Sequence, residues 1–296
     1  MGYKAKGRAD QRHPARCRAF RHRPGAGPVC YRRVKLKMKN PWEEIPLSDY
    51  ESHMKLDSVM QLQAMNEMMK GQFHAYPVSS IMILGIAGGN GLEHAQTDKF
   101  EKIYGVDINS SYLQSATQRY PELSGLLECL CMDLRYEADK LPKADMVIAN
   151  LLIEYIGYEC FQKAVRQINP DYVSCIIQIN TEDGWVSDSP YLHVFDRLEQ
   201  VHHQMEPHML ENAMLEMDYQ VLKTLEHILP NGKKLVQIDF GKQKKGSHSD
   251  CPDFKASHYL AGNLLIDKVF HYLVGTLLMM VSHLCYYYTF LCEICQ

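Results

Sequence analysis

Acidic residues are almost missing from the first forty positions, where Asp10 stands alone against thirteen lysines and arginines. That stretch also has no apolar periodicity and is rich in Arg, Pro, Gly and His. Without material for a packed core, residues 1–40 read as a disordered basic extension. The formal charge of −3 thus divides into +12 over residues 1–40 and −15 over the rest, and an acidic body has no bulk attraction to nucleic acid. Paired thiolate spacing is lacking too. One C-x-x-C, Cys292 and Cys295, occurs among ten cysteines and no second pair answers it, so spacing gives no metal site. Cys129, Cys131, Cys160 and Cys175 fall inside apolar stretches and read as buried reduced thiols. No secretory leader is evident, which makes the cytoplasm the expected compartment.

Charge is absent again between residues 269 and 292, which hold no Asp, Glu, Lys or Arg. Twenty-four residues at about 1.5 Å each could cross a bilayer of roughly 30 Å. Residues 243–296 are therefore either an apolar tail anchor, with the body on the cytoplasmic side, or an appended extension. His271, His283 and Tyr286 to Tyr288 weigh against a span.

Between these ends, residues 41–242 alternate strand and helix signals. Ser48 and Asp49 can cap a helix whose apolar positions, Met54 to Met68, recur at helical spacing until Gly71. Short apolar runs follow at residues 81–84, 103–106, 126–132, 146–149 and 173–179. Helical segments lie between them, at 110–120 and 158–168 among others. This alternation predicts βαβ units and a parallel sheet. Two further strand-like runs, in YQVLKTLEHILPNGKKLVQIDF, are joined by Asn231-Gly232, a hairpin signal, so five parallel strands should be followed by an antiparallel pair.

The first strand runs into the loop "GIAGGNG". A dinucleotide fingerprint needs a third glycine, but His94 stands there, and a P-loop needs a Gly-Lys-Ser/Thr that "GLEH" does not offer. A ligand without phosphate asks only for close backbone approach, which glycine permits. Asp107 ends the next strand, 22 residues after Gly85, where a carboxylate can accept from ribose hydroxyls. Asp133 follows the third strand, within reach of an adenine edge, and Asn150 follows the fourth.

These four segments, in this order, resemble the class I S-adenosylmethionine (SAM)-dependent methyltransferases of the small bacterial type, over about residues 42–240. The resemblance implies an α/β, Rossmann-like three-layer sandwich with a seven-stranded, mostly parallel sheet in the order 3-2-1-4-5-7-6, strand 7 antiparallel. It implies that the backbone around Gly85, Ala87, Gly89, Asn90 and Gly91 lines the methionine and sugar of SAM. Asp107 would hold the ribose, Ile108 would pack on the adenine, Asp133 and Leu134 would meet its edge, and Asn150 would offer its carbonyl to the methionine amine. Tyr50 and Met54 would help cover the site. The sequence departs from the family pattern at Gly85, where an acidic residue is usual, and at Ala87, where glycine is usual.

Methyl transfer needs a base only if the acceptor must lose a proton. Glu154, after Asn150, and His193, after the fifth strand, are the candidates. His202 and Glu206, four apart, could share a helix face and a metal, although solvated histidines are commoner. "NLLIEY" after strand four lacks the N/D-P-P-Y/F signature of amino-methylating enzymes of DNA, RNA and protein glutamine. A small-molecule acceptor is expected; a SAM-binding module without turnover, or an RNA methyltransferase using the basic arm, are the other readings.

Overall fold

The computed structural model describes residues 39–180, 184 and 186–243. Residues 1–38 of the basic extension and residues 244–296, with the apolar run at 269–292, lie outside them. Among the described residues no helix is long and apolar enough to cross a membrane.

Five short apolar strands come first: β1 (Ser80–Leu84), β2 (Lys102–Asp107), β3 (Leu127–Cys131), β4 (Met146–Asn150) and β5 (Tyr172–Ile179). They pair in parallel, and their residues alternate between two cores. Met82, Leu84, Val147 and Ala149 face one, and Ile81, Ile83, Met146 and Ile148 the other. A strand buried on both faces must be apolar throughout, which is why these runs stand out in sequence. β6 (Tyr219–Ile228) and β7 (Lys234–Lys242) form the hairpin, with β7 antiparallel to β5. The sheet order is β3-β2-β1-β4-β5-β7-β6. The hairpin loop is longer than two residues: Leu229 N–H donates to the Lys233 carbonyl at 2.8 Å, and Gly232 takes a φ of +79° within it.

Helices α1 (Leu47–Lys55), α2 (Gln61–His74), α3 (Ser110–Arg119), α4 (Leu134–Glu137), α5 (Ile153–Ile168) and α6 (Pro207–Leu215) complete the layers. The single leading helix expected from periodicity is two. The chain turns at residues 56–60, where Met60 adopts a left-handed φ of +53°. Val59 and Met60 keep their apolar character through the turn, so the spacing looks unbroken. Ser48 and Asp49 lie inside α1 rather than capping it, since Pro46 holds the N-cap, and α2 runs past Gly71 to His74.

Inside α5, Gly157 (φ +74°, ψ +163°) separates a first turn, Ile153 to Ile156, from the regular helix beyond. The expected start at residue 158 matches that regular part. Among the cysteines, Cys160 and Cys175 are buried, but Cys129 is only partly covered and Cys131 is exposed. Their strand, β3, is the sheet's edge, with one neighbour instead of two.

Candidate functional site

A cleft of about 700 Å³, its open mouth included, lies at the carboxyl ends of β1, β2 and β4, where parallel α/β sheets bind ligands. Gly85, Ala87, Asp107, Ile108, Asp133, Leu134 and Asn150 all line it. The sequence segments thus meet because each sits where a strand stops.

The Asp107 carboxylate ties the loop to its own strand. Oδ2 accepts the Ala87 N–H at 2.9 Å and Oδ1 accepts the Asn109 N–H at 2.8 Å. Burial pushes its pKa up to about 6, against the downward pull of these backbone bonds. Ala87 holds a φ of +49°, a conformation that costs a non-glycine residue roughly 1–2 kcal/mol, and the bond from Asp107 pins it there. Gly85 takes a φ of +74°, and an added Cβ would meet the Leu152 side chain at 3.2 Å. An acidic residue at this position would therefore be strained on this backbone.

Asp133 caps α4 through Arg135 N–H and holds the Arg135 guanidinium at 3.0 and 2.9 Å. Asn150 exchanges hydrogen bonds with Gln72 of α2 at 2.9 and 2.8 Å, and Gln72 also donates to the buried Ser174. Its side chain is thus held from behind by a long-range network that no local pattern reveals.

Gly89 and Gly91 line neither this cleft nor its two neighbours; Asn90 reaches one of them, a cavity under α1 and α2. Both glycines lie against packed side chains. Gly91, at φ +91°, lies where a Cβ would meet the Met69 side chain at 2.9 Å, and Gly89, at φ +84°, lies against Leu92 and Tyr120. Gly91→Ala is expected to lower stability by roughly 1–3 kcal/mol in chemical denaturation, through strain and overlap. Its affinity for S-adenosylhomocysteine should stay within about threefold of the parent; a large loss of binding with unchanged stability would return Gly91 to the ligand.

A segment missed in the sequence covers the cleft. Asn40 caps the turn Pro41–Glu43, and Trp42 reaches into the opening. Asn109 donates to the Trp42 carbonyl at 2.9 Å and Tyr112 to the Ile45 carbonyl at 2.9 Å, strapping this segment over α3. Tyr50 and Tyr155 pack edge-to-face on the Trp42 ring, with centroids 5.6 and 4.9 Å away. Glu51 pairs with Arg119 and so ties α1 to α3.

Behind this aromatic group lies a second cavity, which shares Trp42, Tyr50, Leu151 and Tyr155 with the cleft. Its wall carries Glu154, which is 4% exposed. Oε1 accepts the Gln178 N–H at 2.9 Å, and Oε2 is buried with no partner among the described residues. Burial pushes the carboxyl up to about 7, although the Gln178 bond pulls it down. Met54 lines this cavity and the one under α1.

His193 is exposed and lines none of the three cavities, because Phe195 and Leu198 take the inward positions of the 3-10 segment Leu192–Gln200. His202 and Glu206 share no helix, since Glu206 is the N-cap of α6 and His202 precedes it in irregular chain. Among the described residues no cluster of three metal-ligating side chains exists.

The sheet order with its antiparallel seventh strand settles the architecture. The fold is the class I methyltransferase fold. No protein-family model and no curated protein matches the chain. Solved structures of similar shape include the cyclase SpnF (11% identity, 61% of this chain and 81% of that one, TM-score 0.48). Geranyl diphosphate methyltransferase has 11% identity, coverage of 61% and 79%, and TM-score 0.48. The N-methyltransferase NodS from Bradyrhizobium japonicum WM9 has 11% identity, coverage of 67% and 98%, and TM-score 0.48.

Proposed function

We propose that the chain is a SAM-dependent methyltransferase that binds SAM in the cleft and methylates a small molecule lodged in the second cavity. One observation carries this reading. The cleft gathers two carboxylates, two amides and four aromatic side chains, and no Lys, Arg or His is among its lining residues. A phosphate ligand would want a cation there. A ligand that carries a sulfonium and an ammonium suits carboxylates and aromatic faces instead. The fit extends to the parts: Asp107 offers acceptors for ribose hydroxyls, Ile108 and Leu134 offer apolar contact for a ring, and Asn150 is fixed at the mouth.

When bound, SAM supplies an electrophilic methyl carbon, whose bond to sulfur breaks, with the pair going to sulfur, as the acceptor's lone pair bonds to carbon. The residues of the chain hold, desolvate and deprotonate. Trp42, Tyr50 and Tyr155 wall off water at the junction of the two cavities, and positioning of this kind supplies much of the rate in such displacements. Glu154 lines the second cavity, its Oε2 buried without a partner among the described residues, and is the group that takes a proton from an acceptor O–H or N–H. This favours turnover over a mere binding module.

Calorimetric titration of the full chain with S-adenosylhomocysteine tests the reading. The expected result is saturable one-to-one binding in the micromolar range, equivalent to about 8 kcal/mol at 1 μM, with a matching rise in melting temperature. Absence of heat and of any melting shift at about 1 mM ligand, some 4 kcal/mol, would sink it.

A further inference from the structure

Behind the cleft, the sheet holds a carboxylate that neither cavity uses. Asp239 of β7 is 0% exposed and stands directly across from Ser174 of β5. Its Oδ1 accepts from the Ser174 hydroxyl and, at 2.9 Å, from Gln237 Nε2; its Oδ2 accepts from the Tyr76 phenol at 3.1 Å. All three donors are neutral, and among the described residues no Lys, Arg or His pairs with it. A carboxylate buried in this way is costly, and its field is weakly screened. After burial itself, that charge raises the pKa values of the Tyr76 phenol and the Cys175 thiol.

A carboxylate only accepts, and this fixes the direction of every bond that leads away from it. Ser174 gives its one hydrogen to Asp239, so its oxygen is left to accept, and Gln72 Nε2 donates to it at 2.8 Å. The same nitrogen donates to Asn150 Oδ1 at 2.9 Å, while Gln72 Oε1 accepts from Asn150 Nδ2 at 2.8 Å. The Asn150 amide, which lines the cleft, is thereby held in one of its two orientations. Three successive hydrogen bonds join a buried charge to a residue of the cleft, and such bonds polarise one another.

We propose that Asp239 is a positioning residue for the cofactor: through Ser174 and Gln72 it orients the Asn150 amide and supplies a negative field that favours the cationic methionine part of SAM. The proposal deepens the methyltransferase reading and rests on it, since that reading brings the methionine part to Asn150. The carboxylates of the cleft itself are committed elsewhere. Asp107 holds the loop backbone, and Asp133 shares its charge with the Arg135 guanidinium. A cation bound beside Asn150 offsets part of the cost of burying Asp239. SAM carries a sulfonium that S-adenosylhomocysteine lacks, so the gain is greater for substrate than for product. Methyl transfer then weakens the hold on the spent cofactor. A network kept for packing alone would serve every ligand of the cleft equally.

Calorimetry on the full chain compares SAM, S-adenosylhomocysteine and methylthioadenosine, which has neither the sulfonium nor the amino-acid group. Asp239→Asn keeps the shape and an acceptor for Ser174 but removes the charge. It should weaken SAM about tenfold, the effect of a unit charge roughly 10 Å away at an effective dielectric near 20. S-adenosylhomocysteine should lose less, and methylthioadenosine no more than about twofold. Ser174→Ala leaves Asp239 its bonds from Tyr76 and Gln237, and should give the same order of losses. Unliganded melts establish that both variants are folded at the titration temperature. Equal losses for the three ligands, or an unchanged SAM affinity, in either variant would overturn the proposal. The two readings fail separately. A parent chain that binds none of the three removes the cofactor assignment, whereas SAM binding by the parent with even losses in the variants removes the role of Asp239 alone.

Discussion

Asp107→Ala is expected to erase the melting shift that S-adenosylhomocysteine produces, with affinity falling about a hundredfold or more. The size follows from the contacts at stake. A carboxylate that accepts from two ribose hydroxyls makes two charge-assisted hydrogen bonds at roughly 1.5–3 kcal/mol each, and every 1.4 kcal/mol is a factor of ten. The same carboxylate holds the loop, since Oδ2 accepts from Ala87 at φ +49°. Removing it therefore loosens the backbone that the ligand approaches, and both effects act in one direction. The unliganded variant should still fold, because Asp107 sits at the rim of the sheet and not in either core. Circular dichroism and an unliganded melt check that point. Asp133→Ala provides the contrast: its carboxylate is already occupied by Arg135, so its loss should weaken binding by a smaller factor. If Asp107→Ala keeps the full shift, the ribose assignment fails.

The strand-end residues were legible because a single physical constraint produces them. A parallel strand buried on both faces is apolar until it stops, so the first polar residue after such a run, Asp107 or Asn150, stands at the carboxyl edge of the sheet, and Asp133 follows the edge strand β3 at the same level. The hairpin was legible from Asn231-Gly232. What sequence could not show is anything fixed at long range. Gln72 holds Asn150 from 78 residues away. Trp42 and Lys233 line the second cavity from opposite ends of the described chain. A glycine that lines the cleft and one that packs against Met69 read alike, hence the difference between Gly85 and Gly91. His193 was misplaced because a 3-10 segment turns its inward face to Phe195 and Leu198. The break at Met60 was hidden because apolar residues continue through the turn.

Glu154→Gln should separate stability from turnover. The carboxyl titrates at about 7 in the folded chain against its ordinary value of 4.5, so the folded state holds its proton more tightly than the unfolded state does. That preference contributes its full stability below about pH 4.5 and is lost as pH rises through about 7, where the buried group must ionise. Glutamine mimics the protonated form and can keep the bond from Gln178, so it carries no such loss. The variant should match the parent near pH 4.5 and exceed it by up to about 3 kcal/mol at pH 8, since the carboxyl moves from 4.5 to about 7 and a tenfold change in proton affinity is about 1.36 kcal/mol. Urea melts at the two pH values measure this difference, and a gain that does not depend on pH would show that ionisation of Glu154 is not its cause. Turnover should move the other way. An amide cannot take a proton, and loss of a positioned general base costs about 10²–10⁴ in rate. The affinity for S-adenosylhomocysteine should stay unchanged, because Glu154 lines the second cavity and not the cleft. A glutamate retained only for packing would give a stability change with full activity. A buried carboxylate with one oxygen unpartnered, which lowers stability at neutral pH, is what a proton acceptor costs a fold, and the paired outcome of more stable and less active identifies it as one.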